Sequence, residues 1–353
     1  MPSTRDVSAT AASPHAATLQ SKSTPTIKDV AAAAGVSVST VSHAFSGARP
    51  ISAATKDKVR SVATRLGYVP NAHARQLRLG RSGLVGLVVR PQFAFSGPFD
   101  TAETFNRLIG SITTETARRG MGMVHVADLA GKGYALPAMD GCIVAHPYEH
   151  DETIVLLERA RIPFVLADPD PARADIPWVA KVNYGGGLKA VLDSVSTDGR
   201  PVVLMPGTEQ NAWNVDAVKT YSDWCGTMGQ EPRIFTLSEG LDPDDVRRTI
   251  VSNLRGVQGP LGLVYADSSM TLTVLDAAKQ LGRSVPGDLF LAALTDTEHD
   301  RASSPTVTAM DLRHEELATA AVSMLMDRLG GAEPPADPAI VEPKLTLRQS
   351  TQL

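Results

Sequence analysis

Apolar positions recur with two different periods along the 353-residue chain. Between residues 26 and 66 they are spaced three and four apart in short segments that end at glycine, which predicts helices near 27–34, 38–45 and 53–66. From residue 84 onward, continuous apolar runs alternate with amphipathic stretches of helical spacing. Such alternation indicates parallel sheets covered by helices on both faces. A single sheet of about ten strands would be unusually large, so we expect two doubly wound α/β lobes behind an all-α head.

The first two predicted helices carry start and stop signals. Thr26 and Asp29 form a capping-box pattern, Gly35 favours a left-handed helix end, and Ser37 is a second N-cap. Two helices joined by a short turn that contains glycine form a helix-turn-helix. We expect the second helix to expose small or polar side chains that allow close approach to base edges in a major groove: Val38, Ser39, Ser42 and His43.

Charge is distributed unevenly between the two parts of the chain. Residues 26–82 hold nine Lys or Arg against two Asp, a net charge of +7, whereas residues 83–353 carry −12 and the whole chain −4. A folded basic head on an acidic body favours an anionic partner, and for a head of this kind the expected anion is nucleic acid. The apolar content of 43% and charged content of 20% fit a globular protein.

Several classes of protein are not supported by the sequence. Residues 1–25 are rich in Ser, Thr, Ala and Pro without an apolar core, so we expect a disordered tail rather than a signal peptide. No apolar run approaches the ~20 residues of a membrane span. Cys142 and Cys225 are too few for a zinc site or disulfide framework. The glycines at 185–187 lack dinucleotide-binding spacing and indicate a closely packed helix start. We therefore expect no enzyme, no metal and no cofactor, and a cytoplasmic, nucleoid-associated protein.

Two stretches of the head, IKDVAAAAGVSVSTVSHAFSG and TKDKVRSVATRLGYVPNAHARQLR, match a known family motif by motif. They resemble the head of the lactose/purine repressor family of bacterial transcription regulators. The ordered combination of D-V-A-x-x-A-G-V-S, T-V-S, G-Y-x-P-N and A-R-x-L makes an accidental match improbable. The resemblance implies a sequence-specific repressor that binds a palindromic double-stranded DNA operator as a homodimer.

The resemblance also implies roles for individual residues. In the family, a hinge helix forms only on the operator and wedges a leucine into the minor groove, and Leu77 is the corresponding residue here. The major-groove residues implied are Val38, Ser39, Thr40, Ser42 and His43. The phosphate contacts implied are Thr26 and Arg49, and the minor-groove residues are Ala74, Arg75, Leu77 and Arg78.

The body resembles the periplasmic-binding-protein-like pair of lobes with which this family closes on a small-molecule effector. The domains are then a tail (1–25), a helix-turn-helix domain (26–70), a hinge helix and linker (71–82) and an effector-binding and dimerisation body (83–353). In open α/β sheets, ligands bind beyond the carboxyl ends of the strands. We expect a sugar or related metabolite in the cleft between the lobes.

The effector pocket departs from the family pattern. The family often places an arginine in the helix after P-V-V-L-M-P-G, but that helix here reads NAWNVDAVKTY. An alternative therefore stays open, namely a regulator of the same fold that has lost effector sensing or responds to a non-sugar ligand or a protein partner. Aromatic side chains at strand ends can stack on a ligand ring, and carboxylates can accept hydroxyl protons. The effector-binding candidates are Gln92, Phe93, Phe95, His146, Asp168, Trp213, Asp216 and Asp296.

Overall fold

The computed structural model divides into two compact units, residues 1–80 and 81–353. Each unit is built around hydrophobic clusters of its own. The residues that the structure describes are 25–47, 49–69, 81–88, 103–126, 136–237, 242–266 and 268–352.

The head is a bundle of three helices, α1 (Ile27–Ala34), α2 (Val38–Ser46) and α3 (Ala53–Leu66). Their ends follow the predicted capping signals. The Asp29 carboxylate accepts hydrogen bonds from the Thr26 backbone N–H and hydroxyl, and glycine in the left-handed region ends each helix. All three helices contribute to one small core of fully buried aliphatic side chains, among them Val30, Val41 and Val59.

The body contains the predicted alternation of strands and helices. The strands are β1 (Leu84–Val88), β2 (Gly122–Val126), β3 (Gly141–Ala145), β4 (Phe164–Ala167), β5 (Val179–Val182), β6 (Val202–Met205), β7 (Leu261–Tyr265), β8 (Leu289–Ala293), β9 (Thr308–Asp311), β10 (Ala339–Val341) and β11 (Lys344–Thr346). The helices are α4 (Glu103–Arg118), α5 (Glu152–Arg159), α6 (Tyr184–Val195), α7 (Ala212–Met228), α8 (Pro243–Leu254), α9 (Thr271–Gln280), α10 (Glu298–Ala302) and α11 (His314–Leu329).

These strands form two sheets, which confirms the expectation of two lobes. The first lobe has the order β10-β5-β4-β3-β1-β2, and all of its neighbours are parallel. The second has the order β11-β9-β8-β7-β6, and only its edge strand β11 runs antiparallel. The central strands β3, β4, β7 and β8 are almost fully buried along their length, as parallel strands covered on both faces should be.

The chain crosses between the two lobes three times. The crossings lie between β5 and α6, between β9 and α11, and between β10 and β11. The amide of Asn183, at the first crossing, donates to both carboxylate oxygens of Glu342, at the third, over 3.1 and 2.9 Å. A Cβ on Gly187 would overlap Met310 and Pro343, so the glycines at 185–187 do begin a closely packed helix.

Five local assignments differ from the sequence pattern. The apolar stretch at 232–237 makes only isolated bridges, Ile234 to Leu204 and Leu237 to Gly207, rather than the predicted strand. The strands β5, β9 and β10 and the short helix α10 were not predicted from periodicity. Each is five residues or shorter, so its pattern is too brief to distinguish from a loop. Pairing with a neighbouring strand decides the conformation of the three strands, and a capping box of Thr297 and Asp300 starts the helix.

Candidate functional site

The start of α2 presents the first group of predicted DNA-reading residues. Ser37 caps the helix by accepting a hydrogen bond from the Thr40 N–H at 3.1 Å, and its oxygen lies 2.7 and 2.8 Å from the hydroxyls of Ser39 and Thr40. Val38 is 40% exposed and Ser39 is exposed, whereas Thr40 is half-buried. A small apolar side chain and a hydroxyl group therefore project from the first turn of the helix.

Ser42 and His43 are less accessible than the pattern predicted. Ser42 is only 9% exposed, so the expectation that the helix exposes it is wrong. The reason is that α2 packs against both α1 and α3, and this widens its buried stripe beyond Val41 and Ala44. His43 is half-buried, and its Nδ1 is a buried atom that finds no hydrogen-bond partner among the described residues.

The cations of the head remain available to an anionic partner. Among the head residues that the structure describes, no Lys or Arg forms an ion pair with a carboxylate. Arg49 is exposed in the loop after α2, and Lys28, Lys58 and Arg60 are also exposed. Thr26, the other predicted phosphate contact, has its hydroxyl engaged by Asp29 at 2.7 Å. Uncompensated positive charge of this kind is what a nucleic-acid backbone attracts.

Several predicted site residues lie outside the described residues. They are the four minor-groove residues Ala74, Arg75, Leu77 and Arg78 and the effector candidates Gln92, Phe93 and Phe95.

Four of the remaining effector candidates belong to one cluster in the cleft. Asp168, at the carboxyl end of β4, lies 2.9 Å from Nδ1 of His146, at the end of β3. It also accepts hydrogen bonds from the Tyr184 hydroxyl and, at 3.1 Å, from the Val182 N–H. His146 and Asp168 both have left-handed backbone conformations, with φ of 48° and 73°. Because α6 begins at Tyr184 and packs on the second lobe, the Tyr184–Asp168 hydrogen bond connects the lobes.

The second lobe adds Trp213 and Asp216 to this cluster. The Trp213 ring contacts Tyr184 edge-on, with ring centroids 4.7 Å apart. Loss of hydration raises the pKa of Asp216, and the negative charge of Asp168 adds to that effect, while Lys181 opposes it. The cluster therefore combines aromatic rings, carboxylates, an imidazole and a lysine, which is a set suited to a small polar ligand.

The sequence pattern missed three members of this cluster: Tyr184, Lys181 and His314. His314, the first residue of α11, is 2% exposed. Burial, aided by charge interactions with His146 and Arg107, lowers its pKa to about 3, so the imidazole is neutral. Tyr184 and His314 each begin a helix at a lobe crossing, and that position is the signal that would have found them.

Asp296, the last effector candidate, is engaged in a different network. Its carboxylate accepts two hydrogen bonds from Arg348, at 3.0 and 2.8 Å, and one from Arg301 at 3.2 Å. Arg301 also donates to Glu103 at 3.1 Å, and the Glu298 N–H donates to Glu103 at 2.9 Å. Because Glu103 begins α4 on the first lobe and Arg301 lies in α10 on the second, this ion-pair network joins the lobes.

Within the described part of the chain, no group of three or more His, Cys, Asp or Glu side chains is placed to hold a metal ion. No helix in the same residues is long and apolar enough to cross a bilayer.

Comparison with known protein families matches both parts of the chain. The model for bacterial regulatory proteins of the lacI family matches residues 26–71, and the model for a periplasmic binding protein-like domain matches residues 200–351. The first match contains α1 to α3, and the second contains most of the second lobe. The two matches thus cover the helix-turn-helix and part of the cleft.

Curated relatives match along nearly the whole chain. The HTH-type transcriptional regulator CelR of Thermobifida fusca is 26% identical over 341 residues, which is 92% of this chain and 98% of that protein. The HTH-type transcriptional repressor PurR of Proteus mirabilis (strain HI4320) is 26% identical over 344 residues, or 92% of this chain and 96% of that one. These relatives are regulators and not enzymes.

Solved structures share the fold. The lac repressor dimer bound to operator and the anti-inducer ONPF has a TM-score of 0.79 at 19% identity, covering 94% of this chain and all of that chain. A complex of the transcriptional regulator CelR with cellobiose has a TM-score of 0.61 at 22% identity and covers 92% of this chain and 99% of that one. The head of this protein is thus a lacI-family domain of bacterial regulatory proteins, and it is joined in one chain to a periplasmic binding protein-like body, as in these relatives.

Proposed function

We propose that this protein is a sequence-specific transcriptional repressor that binds a palindromic operator as a homodimer and acts in the cytoplasm, at the nucleoid. The observation that carries the proposal is the helix-turn-helix head, whose α2 exposes Val38 and Ser39 beside cations that have no carboxylate partner among the described head residues. A dimer places two such helices in successive major grooves. The relatives named HTH-type regulators and repressors support the same function.

Residues of the head divide the work of recognition. Val38 and Ser39 contact base edges directly. Thr40, Ser42 and His43 take part in the same major-groove contact from less exposed positions on the helix. For Ser42 and His43 this requires a change of side-chain position on DNA, because both are largely covered in the free head. Phosphates are held by Arg49 and the region of Thr26. Ala74, Arg75, Leu77 and Arg78 enter the minor groove, where Leu77 unstacks a base step.

The body responds to a small polar effector, a sugar or related metabolite. Trp213 offers an aromatic face, while Asp216 and Lys181 are charged groups of the cluster whose side chains form no hydrogen bond with another described residue. Asp168 acts differently, because His146, Tyr184 and Val182 already occupy its oxygens. We assign it the role of positioning His146 and Tyr184. A relative of this fold binds cellobiose, which fits a ligand rich in hydroxyl groups.

Effector and operator are coupled through closure of the lobes. A ligand that contacts both lobes stabilises the closed body, and closure changes the separation of the two hinge segments in the dimer. Pairing of the hinge helices on the operator then becomes more or less favourable, so each ligand shifts the affinity for the other.

A second candidate function is regulation without a sugar effector. The observation in its favour is that Asn214, in the helix where the family often carries an arginine, is already engaged by the Gly207 N–H and the Glu209 carbonyl. A thermal-shift screen of sugars, nucleosides and sugar phosphates separates the two candidates, because a tight ligand raises the melting temperature by mass action.

Selection of bound fragments from a random DNA pool tests the main proposal. We expect the full-length protein to enrich a short site with two-fold symmetry, since half-site spacing mirrors the symmetry of the dimer. Enrichment of no symmetric site would contradict a palindromic operator, and no enrichment at all would contradict sequence-specific binding.

A further inference from the structure

A second cavity lies at the opposite edge of the first lobe from the effector cleft. It has a volume of about 360 Å³, within the range of small-ligand sites. Its wall includes Phe164, the first residue of β4, and Trp178, the residue before β5. Asp168 follows the carboxyl end of β4, and His146 follows that of its parallel neighbour β3, so the cavity sits at the amino ends of the strands and is separate from the cleft.

The charges that line this cavity are not balanced locally. Its wall contains three arginines and two carboxylates. Arg173 forms ion pairs with both carboxylates, at 2.7 Å from Glu158 and 2.7 Å from Asp175. Arg161 and Arg328 have no carboxylate within ion-pair distance among the described residues. Two guanidinium groups therefore face one cavity without a counter-ion.

Arg328 is held in place by contacts that leave its charge uncompensated. Its guanidinium carbon lies 4.9 Å from the centroid of the Phe164 ring and 5.5 Å from that of the Trp178 ring, and it donates to the Phe164 carbonyl. Burial lowers its pKa, and the distant charge of Glu158 only partly opposes this. A half-buried cation without a carboxylate in ion-pair contact is costly, so an anion at this position would be stabilising.

Arg161 occupies a position where its side chain is not needed for the fold. It follows α5 with φ of 54°, and its N–H and that of Ile162 bond to the last turn of the helix. Helices often end in this way with glycine, because a left-handed residue with a Cβ is strained. An arginine here supplies a positive side chain at the rim of the cavity, and it is exposed.

The rest of the wall is apolar and includes Ile162, Pro163, Ile176 and Pro177. We infer that this cavity is a second binding site, for a small organic anion whose carboxylate contacts Arg161 and Arg328 and whose apolar part lies on this wall. Arginine binds carboxylates in a planar, two-pronged geometry, which suits this ligand class. Arg328 lies at the C-terminal end of α11. The same end of this helix contacts the start of the body, because Arg81 donates to the carbonyl of Leu329 at 3.4 Å.

Fluorine NMR titration of the full-length protein tests this inference with two probes of the same shape, para-fluorobenzoate and the neutral para-fluorobenzamide. We expect saturable binding of the benzoate only. Arg161→Gln and Arg328→Gln should each weaken it by about tenfold, the effect of losing one charged hydrogen bond. Arg255→Gln is the matched control, because it removes an equally exposed arginine from the other lobe.

Three results would overturn the inference. They are equal binding of benzoate and benzamide, equal affinities in Arg161→Gln and Arg255→Gln, and tighter binding of inorganic phosphate than of benzoate. Misfolding is separated from loss of binding by Arg161→Gly, since glycine favours the backbone conformation at this position. This variant should melt at the same temperature as the parent or higher and still lose benzoate affinity. Retained affinity would show that Arg161 serves only the helix end.

Discussion

Asp168 accepts hydrogen bonds from the Tyr184 hydroxyl and the Val182 N–H and lies 2.9 Å from Nδ1 of His146, and this limits what a ligand of the cleft can contact. The same contacts explain why the Tyr184 hydroxyl has a pKa well above its usual value: burial is the main cause, and the charge of Asp168 adds to it. Tyr184 is therefore a hydrogen-bond donor at all physiological pH values. At the residue scale, the Tyr184–Asp168 hydrogen bond is therefore a fixed feature of the cleft.

His314 provides a pH test of the buried cluster. Its pKa of about 3 in the fold lies below the ordinary 6.5, so the unfolded state binds a proton first as pH falls. The contribution of His314 to stability is complete above pH 6.5 and is lost toward pH 3, with a slope of about 1.4 kcal/mol per pH unit. The groups that act on its charge are His146, Arg107, Asp168 and Glu315.

We expect His314→Gln to flatten the dependence of the free energy of unfolding on pH between 6.5 and 5. Urea titrations followed by tryptophan fluorescence measure it, because Trp178, Trp213 and Trp224 all lie in the body. His125→Gln is the control, since His125 is exposed. A slope as steep in His314→Gln as in the parent would contradict a buried neutral imidazole.

A substitution at Leu77 tests the proposed insertion of this side chain into the minor groove of the operator. We expect Leu77→Ala to weaken operator binding by at least about tenfold, as truncation of a central anchor does, because alanine cannot hold a base step apart. A gel-shift titration measures the loss. The melting temperature of the body should not change, and equal operator affinity for both proteins would rule out the wedge.

At the scale of elements, the head depends on its caps more than the body does. Its helices are short, and isolated helices of this length are marginal in water. The Ser37 hydroxyl accepts a hydrogen bond from the Thr40 N–H and is hydrogen-bonded to the hydroxyls of Ser39 and Thr40 at the start of α2. The turn that we propose to read DNA is therefore held in place by contacts within the head itself.

We expect Ser37→Ala to destabilise the head by about 1 kcal/mol, the usual contribution of an N-cap. Amide hydrogen exchange of α2 in the full-length protein measures the change. Ser61→Ala is a suitable control, because Ser61 is exposed on α3 away from its cap. Unchanged exchange in Ser37→Ala would mean that tertiary packing alone holds the first turn.

At the scale of the whole body, contacts away from the cleft also join the lobes. The Glu103 carboxylate on the first lobe accepts hydrogen bonds from Arg301 and from the Glu298 N–H on the second. Elsewhere the Glu149 N–H donates to the Gln210 carbonyl at 2.7 Å, beside a bridge between Tyr148 and Asn211. These contacts favour the arrangement of the two lobes seen in this structure.

We expect Arg301→Gln to shift the body toward an open form. The pairs are partly exposed, so the loss is about 1 kcal/mol, enough to raise the open population several-fold. Spin labels at Glu152→Cys and Lys189→Cys, one on each lobe, report the distance. The native cysteines are buried and do not compete.

The matched control for Arg301→Gln is Arg247→Gln, which removes an arginine paired only with Asp244 in its own helix. High salt should reproduce the opening in the parent protein, because screening weakens exposed pairs. An unchanged distance distribution in Arg301→Gln would exclude these ion pairs from closure.

Local sequence determined the elements that carry their own signals. The capping residues and glycines of the head and the long apolar runs of β1, β3, β4, β7 and β8 suffice, because cap chemistry and burial of a continuous strand act over a few neighbouring residues. The family motifs of the head are local in the same sense. They led from sequence to a DNA-binding regulator.

Only the tertiary structure decided which polar residues meet. Asp168 and Tyr184 lie on different lobes, and Glu103 and Arg301 are brought together across almost two hundred positions of the chain. No periodicity reports such pairings, because they follow from the three crossings and the closure of the lobes. The same holds for Ser42, which helical spacing places at the margin of the buried stripe and packing against two helices covers.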